Sequence, residues 1–407
     1  MPERIAILGA GIMGCCLALE FARRGRKVTV FDERCAPMEC ASRWNEGKLH
    51  LGYLYANDPS LATARHMLPA GLAFLPIMRD WIGEAIDTAI SHSDDLYLVS
   101  RGSVVGAAAT GAYFEQVTAL AKTMPGCADY PGDLTRAAVR QASRSDLERH
   151  SNACDIVAGY FLPERSIQTR WVADRLADRV TQEPFIELRM GQRVEGVDAG
   201  ESGHDPWTVR TLAVGDTGEA TREAFGLVVN ALWQGRVAVD RTAGIADPAD
   251  CSNRFRVSAF VRTSKPLAVP SAIICVGPFG DMKNYNGRDF YLSWYPTGLL
   301  RDTKAAVPGA APVIDSEIRA AVLRGIQKHL VPRLPGAGQV LEAAERIEVA
   351  GGWIFAQASG VLADPSATLH RRERFGVSRI GNFLSVDTGK YATAPHMARE
   401  IVSMVMD

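Results

Sequence analysis

The chain predicts an α/β fold: a Rossmann-like, doubly wound nucleotide-binding domain joined to a second, mixed-sheet α+β domain. Three observations carry this. Residues 4–32 run as an apolar β-branched stretch, a glycine turn, a helix-spaced stretch and a second apolar stretch. Alternating β-type runs, RFRVSAFVR and FYLSWYP, occupy residues 254–296. The chain closes on NFLSVDTGKYATAPHMAREIVSMVM, a strand, a glycine-containing loop and a helix.

The first unit is the most specific. RIAIL has strand length, CCLALEFARRG has helical spacing and KVTVFD is a second buried strand, so the glycines between them open a strand-turn-helix-strand unit of about thirty residues. Gly9 permits the tight turn, Gly11 lets backbone N–H groups approach a pyrophosphate, and Gly14 allows the helix to pack closely. The helix N-terminus that follows the glycine turn, with Ile12 and Met13 in that turn, supplies positive potential for phosphate. Asp32 ends the second strand and is placed to accept hydrogen bonds from a ribose diol, with Glu33 and Arg34 beside it. An acidic residue there argues against NADP, whose 2′-phosphate it would repel; the motif leaves FAD and NAD open.

Further along, residues 57–80 and 111–124 have helical patterns, with the strand LYLVS between them. Ser145 and Glu148 have capping-box spacing. Residues 170–182 predict an amphipathic helix, FIELRMGQRVEGVD and WTVRTLAVG short strands, residues 226–230 a buried strand, and residues near 313–331 a helix. Residues 1–90, 150–240 and 340–407 are expected to build a discontinuous nucleotide-binding domain. Residues 91–149 and 241–339 are expected to build the substrate domain.

Composition narrows the function. Forty-five Lys and Arg against 46 Asp and Glu leave a near-neutral chain, without the basic stripe that nucleic acid selects. A small-molecule substrate is the expectation. Eight cysteines, at 15, 16, 35, 40, 127, 154, 251 and 275, include no C-x-x-C pair and no matching histidine cluster, which argues against a metal site and for reduced thiols. No signal-peptide pattern and no uninterrupted apolar run of about 18 residues is present, so a cytoplasmic protein without a membrane span is expected.

Between these elements lies ASRWNEGKLHLGYLY, dense in polar groups. Together with GAGIMG, Asp32 and the terminal SVDTGKYATAPHMA, it resembles the D-amino-acid oxidase-like superfamily of FAD-dependent oxidoreductases, over nearly the full chain. The block is similar to that of 2-hydroxyglutarate oxidases and, more loosely, of glycerol-3-phosphate dehydrogenases. The resemblance implies a glutathione-reductase-type FAD-binding domain and a flavin that takes a hydride from a carbon bearing OH or N. It places Ser42 and Arg43 near the pyrophosphate, and Asn45, Glu46 and Gly47 along the flavin ring. It sets Val194 against the adenine, Asn230 and Ala231 beside the cofactor, and Gly389, Lys390 and Tyr391 at the flavin pyrimidine. Leu232-Trp233-Gln234-Gly235 departs from the family's small residues at that turn. Arg43 stands where some relatives carry a flavin-linking His, which implies non-covalent FAD.

Candidates for chemistry follow from residue type. His50 titrates near neutrality and is the base candidate, against a reading in which it only hydrogen-bonds the flavin or backbone. Lys48 is either a cation near the ring or a solvent-facing lysine. Period-two spacing puts Tyr291, Ser293 and Tyr295 on one strand face and Leu292 and Trp294 on the other, so Tyr291 is a pocket candidate. In the run His370-Arg371-Arg372, Arg371 is the candidate anion clamp. The expectation tilts slightly toward C–OH oxidation, with C–N oxidation close behind and the electron acceptor open. The alternatives are a flavin monooxygenase, whose usual late Gly-Asp-Ala-Ala-His-like segment is missing, and an FAD-binding protein without turnover.

Overall fold

A computed structural model describes residues 4–152, 155–201 and 205–406; Cys154 lies outside them. Its first sheet has six strands, in the order Gly376–Ile380, Phe383–Asp387, Leu227–Asn230, Ile5–Leu8, Val28–Asp32, Ile186–Met190. All neighbours are parallel except the first pair. The strand IAIL is buried at every position because a parallel sheet is covered on both faces. Alternate side chains divide between those faces. Ile5, Ile7, Val28 and Val30 join the core formed with the helices Ile12–Arg23, Thr169–Gln182 and Ala394–Met406. Ala6, Leu8, Phe31 and Val228 pack instead on Val197, Trp207 and Val209. These belong to a three-stranded antiparallel sheet of Gln192–Asp198, Trp207–Ala213 and Thr221–Phe225.

The second sheet has nine strands and forms the roof over the first body's carboxyl edge. Its path runs Leu299–Thr303, Ser252–Thr263, Asp289–Trp294, Gly280–Asn284, Ala272–Cys275, Asp95–Ser100, Ile156–Leu162, Arg140–Gln141. Ala344–Ala356 pairs along Ser252–Thr263 over twelve positions. The sheet is mixed because Ala272–Cys275 runs parallel to Asp95–Ser100. Ile156–Leu162 and Ala344–Ala356 thus join the roof, although they fall in segments the sequence groups with the nucleotide-binding domain.

This sheet is amphipathic by strict alternation, and that decides where the site lies. Phe255, Val257, Ala259, Met282, Leu292 and Trp294 point to one side and pack on Val322, Ile326, Leu330 and Leu334. Their odd-even partners, Arg254, Arg256, Ser258, Asp281 and Tyr291, face the nucleotide-binding body across a cavity. Among the helices, Ala62–Ile82 and Ala107–Thr123 fall where the periodicity puts them. The short helix Arg144–His150 is capped by Ser143, whose Oγ accepts the Asp146 N–H while the Asp146 carboxylate accepts the Ser143 N–H. The capping box therefore sits two residues before the predicted Ser145.

Candidate active site

A cavity of about 610 Å³ extends from Asp32, Glu33 and Arg34 at one end to Lys390 and Tyr391 at the other. Its first end is shaped by the glycines. Gly9 has φ +101°, and a Cβ there would meet Ala231 O at 2.8 Å. A Cβ at Gly14 would fall 1.8 Å from Gly9 O, so helix and turn approach as closely as they do only because Gly14 lacks a side chain. Ser42 Oγ accepts the Ile12 N–H at 2.9 Å and thereby ties the polar loop to the helix N-terminus. Asp32 accepts the Ala10 N–H at 2.7 Å and the Arg34 N–H at 2.9 Å. Its carboxylate holds the turn and retains acceptor capacity toward the cavity. Val194, Ala231 and the departing turn Leu232-Trp233-Gln234-Gly235 complete the wall. Trp233 Nε1 donates to Trp353 O at 2.8 Å and so ties this turn to the roof.

The loop that follows divides by residue. Asn45 folds back, its Nδ2 donating to Ala41 O and its Oδ1 accepting the Gly47 N–H, and it lines the cavity with Ser42 and Glu46. Gly47 is a turn residue at φ +66°, where a Cβ would fall 1.9 Å from Ile167 O; it borders Ile167 and not the cavity. Arg43 turns away to pair with Asp174 at 2.6 Å. Asn230 is likewise off the wall, donating to Arg236 O and Asp240 Oδ1.

Beneath the loop lies a buried ionic network. Lys48 Nζ donates to Asp95 Oδ2 at 3.0 Å and to Tyr97 Oη at 3.1 Å, with Glu164 Oε2 at 3.0 Å. Lys283 Nζ reaches the same Asp95 oxygen at 2.6 Å, and Tyr97 donates to Glu164. Burial opposes the Lys48 charge, but Glu164, Tyr97 and Asp95 outweigh it and hold its pKa well above the usual lysine value. Lys48 borders the cavity with its charge already neutralised, so it is neither the solvent-facing lysine nor a free cation at the ring. His50 is also buried and borders the cavity. Burial, then Lys390 and Lys48, push its pKa well below the ordinary imidazole value, which keeps it neutral. Its Nδ1 and the Tyr55 hydroxyl find no hydrogen-bond partner among the described residues.

The roof supplies residues that sequence reasoning passed over. Arg254 and Arg256 alternate with Phe255 and Val257, and both line the cavity. Arg254 donates to Tyr295 Oη at 3.0 Å and Arg256 to Ser293 Oγ at 2.8 Å, while the Nε of each is unpartnered. Both fall on the strand face that the period-two alternation also gives Tyr291. Tyr291 lines the cavity as its spacing predicts, and its Oη accepts a hydrogen bond from Ser258 Oγ at 2.9 Å. Asp281 meets Glu46 carboxyl to carboxyl across the cavity; burial and the Glu46 charge push its pKa up to about 7.

The last loop brings Lys390 and Tyr391 to the wall, with Gly389 at φ +65° before them. The helix Ala394–Met406 starts immediately after. Burial and Arg372 push the Lys390 pKa down to about 7. Arg371 does not reach this site: its side chain is 59% exposed and its nearest carboxylate is Asp58 at 4.0 Å. Arg372, one residue on, is buried and lines the cavity, donating to Phe355 O and Gly389 O. The run bends inward there because Arg372 N–H donates to Thr63 Oγ1.

Glycine cradle, acidic strand end and a cation-bearing far end together fit a flavin dinucleotide. Among the described residues no cluster of His, Cys, Asp and Glu could hold a metal ion, and no helix is long and apolar enough to cross a membrane. The fold is similar to that of a glycine oxidase from Geobacillus kaustophilus (TM-score 0.68, 14% identity, 99% of this chain and 95% of that one). It is also similar to an iminodiacetate oxidase from Chelativorans sp. BNC1 (0.66, 16%, 99% and 95%) and an L-alpha-glycerophosphate oxidase from Mycoplasma pneumoniae (0.61, 14%, 99% and 94%). A kynurenine 3-monooxygenase from Mycosarcoma maydis is 43% identical over 53 residues, which span 12% of this chain and only 9% of that protein. The model of the FAD dependent oxidoreductase (DAO) family matches residues 4–354, most of the chain, and the protein belongs to that family of FAD-binding enzymes.

Proposed function

We propose that the enzyme oxidises the C–N bond of a small amino acid. The observation that carries this reading is that one cavity offers both signs of charge side by side. Arg254 and Arg256, with Lys390 opposite, suit a carboxylate; Glu46 and Asp281 suit an amino group. This departs from the slight tilt toward C–OH that the loop motif suggests, because a hydroxy acid gives the two carboxyl groups no positive charge to receive. Two of the fold relatives are named for glycine and iminodiacetate, a third for glycerophosphate.

Ser42, Asn45, Glu46, Lys390 and Tyr391 would hold FAD along the cavity, which supplies the two-electron acceptor for a hydride from the substrate carbon. The chain's own work is orientation. The arginines fix the anionic end, and Tyr55, Tyr291 and Tyr295 narrow the space and keep water from the reacting carbon. Neutral His50, with Nδ1 unpartnered, offers an acceptor within the same cavity.

The test is anaerobic addition of matched pairs, alanine and lactate, glutamate and 2-hydroxyglutarate, each in both hands, to the FAD-loaded enzyme. Bleaching of the flavin band by amino acids is expected. Bleaching by hydroxy acids alone would refute C–N oxidation. Repeating the assay in air assigns oxygen as acceptor if peroxide forms, and a dehydrogenase if only an added dye is reduced.

A further inference from the structure

We infer that Glu46 and Asp281 act together as the proton acceptor for the substrate's ammonium group, delivering the neutral amine from which hydride leaves. This rests on the amino-acid reading above. Glu46 rises from the flavin-cradling loop and Asp281 descends from the roof strand Gly280–Asn284, and both carboxyl groups line the same cavity, near enough for each to act on the other's ionisation. Asp281 is only 5% exposed and its Oδ2 finds no N–H or O–H donor among the described residues; Glu46 keeps 24% of its side chain open. A buried acceptor without a donor is costly, and an ammonium N–H is the donor that would relieve it.

The nearby cations do not fill that role. Lys283 shares a strand face with Asp281 but donates to Asp95, and Lys48 donates to Asp95 and Tyr97. Arg256 donates to Ser293, and Tyr285 Oη donates to Glu46 O, not to its carboxylate. Tyr291 Oη accepts from Ser258 Oγ and, among the described residues, is not hydrogen-bonded to either carboxyl group. Lys390 and His50 complete the titratable neighbours, one on the last loop and one four residues after Glu46. Two carboxyl groups in contact share a proton because both cannot ionise cheaply. Burial pushes Glu46 up, but Lys48, Lys283 and Lys390 outweigh it and hold it low, while Asp281 is pushed up to about 7. One member is thus ionised and next to its reservoir partner.

The step balances simply. A substrate N–H bond breaks, its electron pair stays on nitrogen as the lone pair, and the proton forms an O–H bond on the carboxyl pair. Hydride departure from the adjacent carbon then draws on that lone pair.

The test uses FAD-loaded wild type, Asp281→Asn and Glu46→Gln. First, 2-aminoisobutyrate, which has no hydrogen on the reacting carbon, and isobutyrate are titrated against the flavin visible band. Each variant should weaken the amino compound by about tenfold or more and leave isobutyrate within about twofold. Second, flavin reduction by the most effective amino acid of the panel is followed from pH 7 to 9. Wild type should stay nearly flat, whereas Asp281→Asn should start about a hundredfold slower and rise about tenfold per pH unit, since solvent must then remove the proton. Variants that keep the wild-type binding ratio and pH profile overturn the inference and leave the amino-acid reading standing. Failure of wild type to bind either probe overturns that reading as well.

Discussion

Lys48 Nζ lies 3.0 Å from Asp95 Oδ2, and both side chains are wholly withdrawn from solvent. With Glu164 and Lys283 they form two cations and two anions sealed between loop and roof. Such a network is costly to break, because removal of one partner strands a buried charge. Lys48→Met is therefore expected to lower the unfolding free energy of the FAD-loaded enzyme by about 3–5 kcal/mol in urea titrations. Adding Glu164→Gln should recover part of the loss; an unchanged midpoint for Lys48→Met would sink the ion-network account.

His50 is kept neutral by burial and by Lys390 and Lys48. His50→Ala should slow flavin reduction by about 10–100-fold, because the neutral imidazole is a hydrogen-bond acceptor that orients the substrate. FAD content, read from the visible spectrum, should stay at the wild-type level. An undiminished rate removes His50 from the chemistry.

Lys390 carries its charge below pH 7 and loses it above, since burial and Arg372 push its pKa down to about 7. Its help to an anion fades accordingly. At pH 6, Lys390→Met should bind isobutyrate about tenfold more weakly than wild type, and at pH 8.5 the two should agree within about twofold. A gap that persists at high pH contradicts the shifted lysine.

Asp281 gives a stability signature of the opposite kind. In the unfolded chain it ionises as an ordinary carboxyl, but in the fold it holds its proton up to about 7. The folded state thus binds more protons between those values, so the contribution is complete below the unfolded pKa and is lost as pH rises through 7. Asp281→Asn should melt at or below wild type at pH 5 and above it at pH 8. Scanning fluorimetry of both proteins across that range decides; a melting difference of constant sign would not fit.

The nucleotide end was legible in the sequence because its constraints are local. Gly9, Gly14 and Asp32 act within one strand-turn-helix-strand unit, and their spacing states the geometry. Tyr291 was legible through alternation alone. Arg254 and Arg256 obey the same alternation, but a pair of arginines in a strand has no local mark that separates a cavity wall from solvent. Asp281 and Glu46 are 235 positions apart, and their contact exists only because the roof closes over the loop. Arg371 and Arg372 are adjacent, and which of them turns inward depends on Thr63, in a distant helix.

Gly352 in the roof strand lies so close to the first body that a Cβ there would meet Ala41 at 2.8 Å. Tyr285 and Trp233 pin the same two bodies at other points, through Glu46 O and Trp353 O. The ceiling height of the reaction chamber is therefore a fixed dimension of the protein. Any side chain at position 352 would lift the roof off Ala41 and deepen the chamber beneath it.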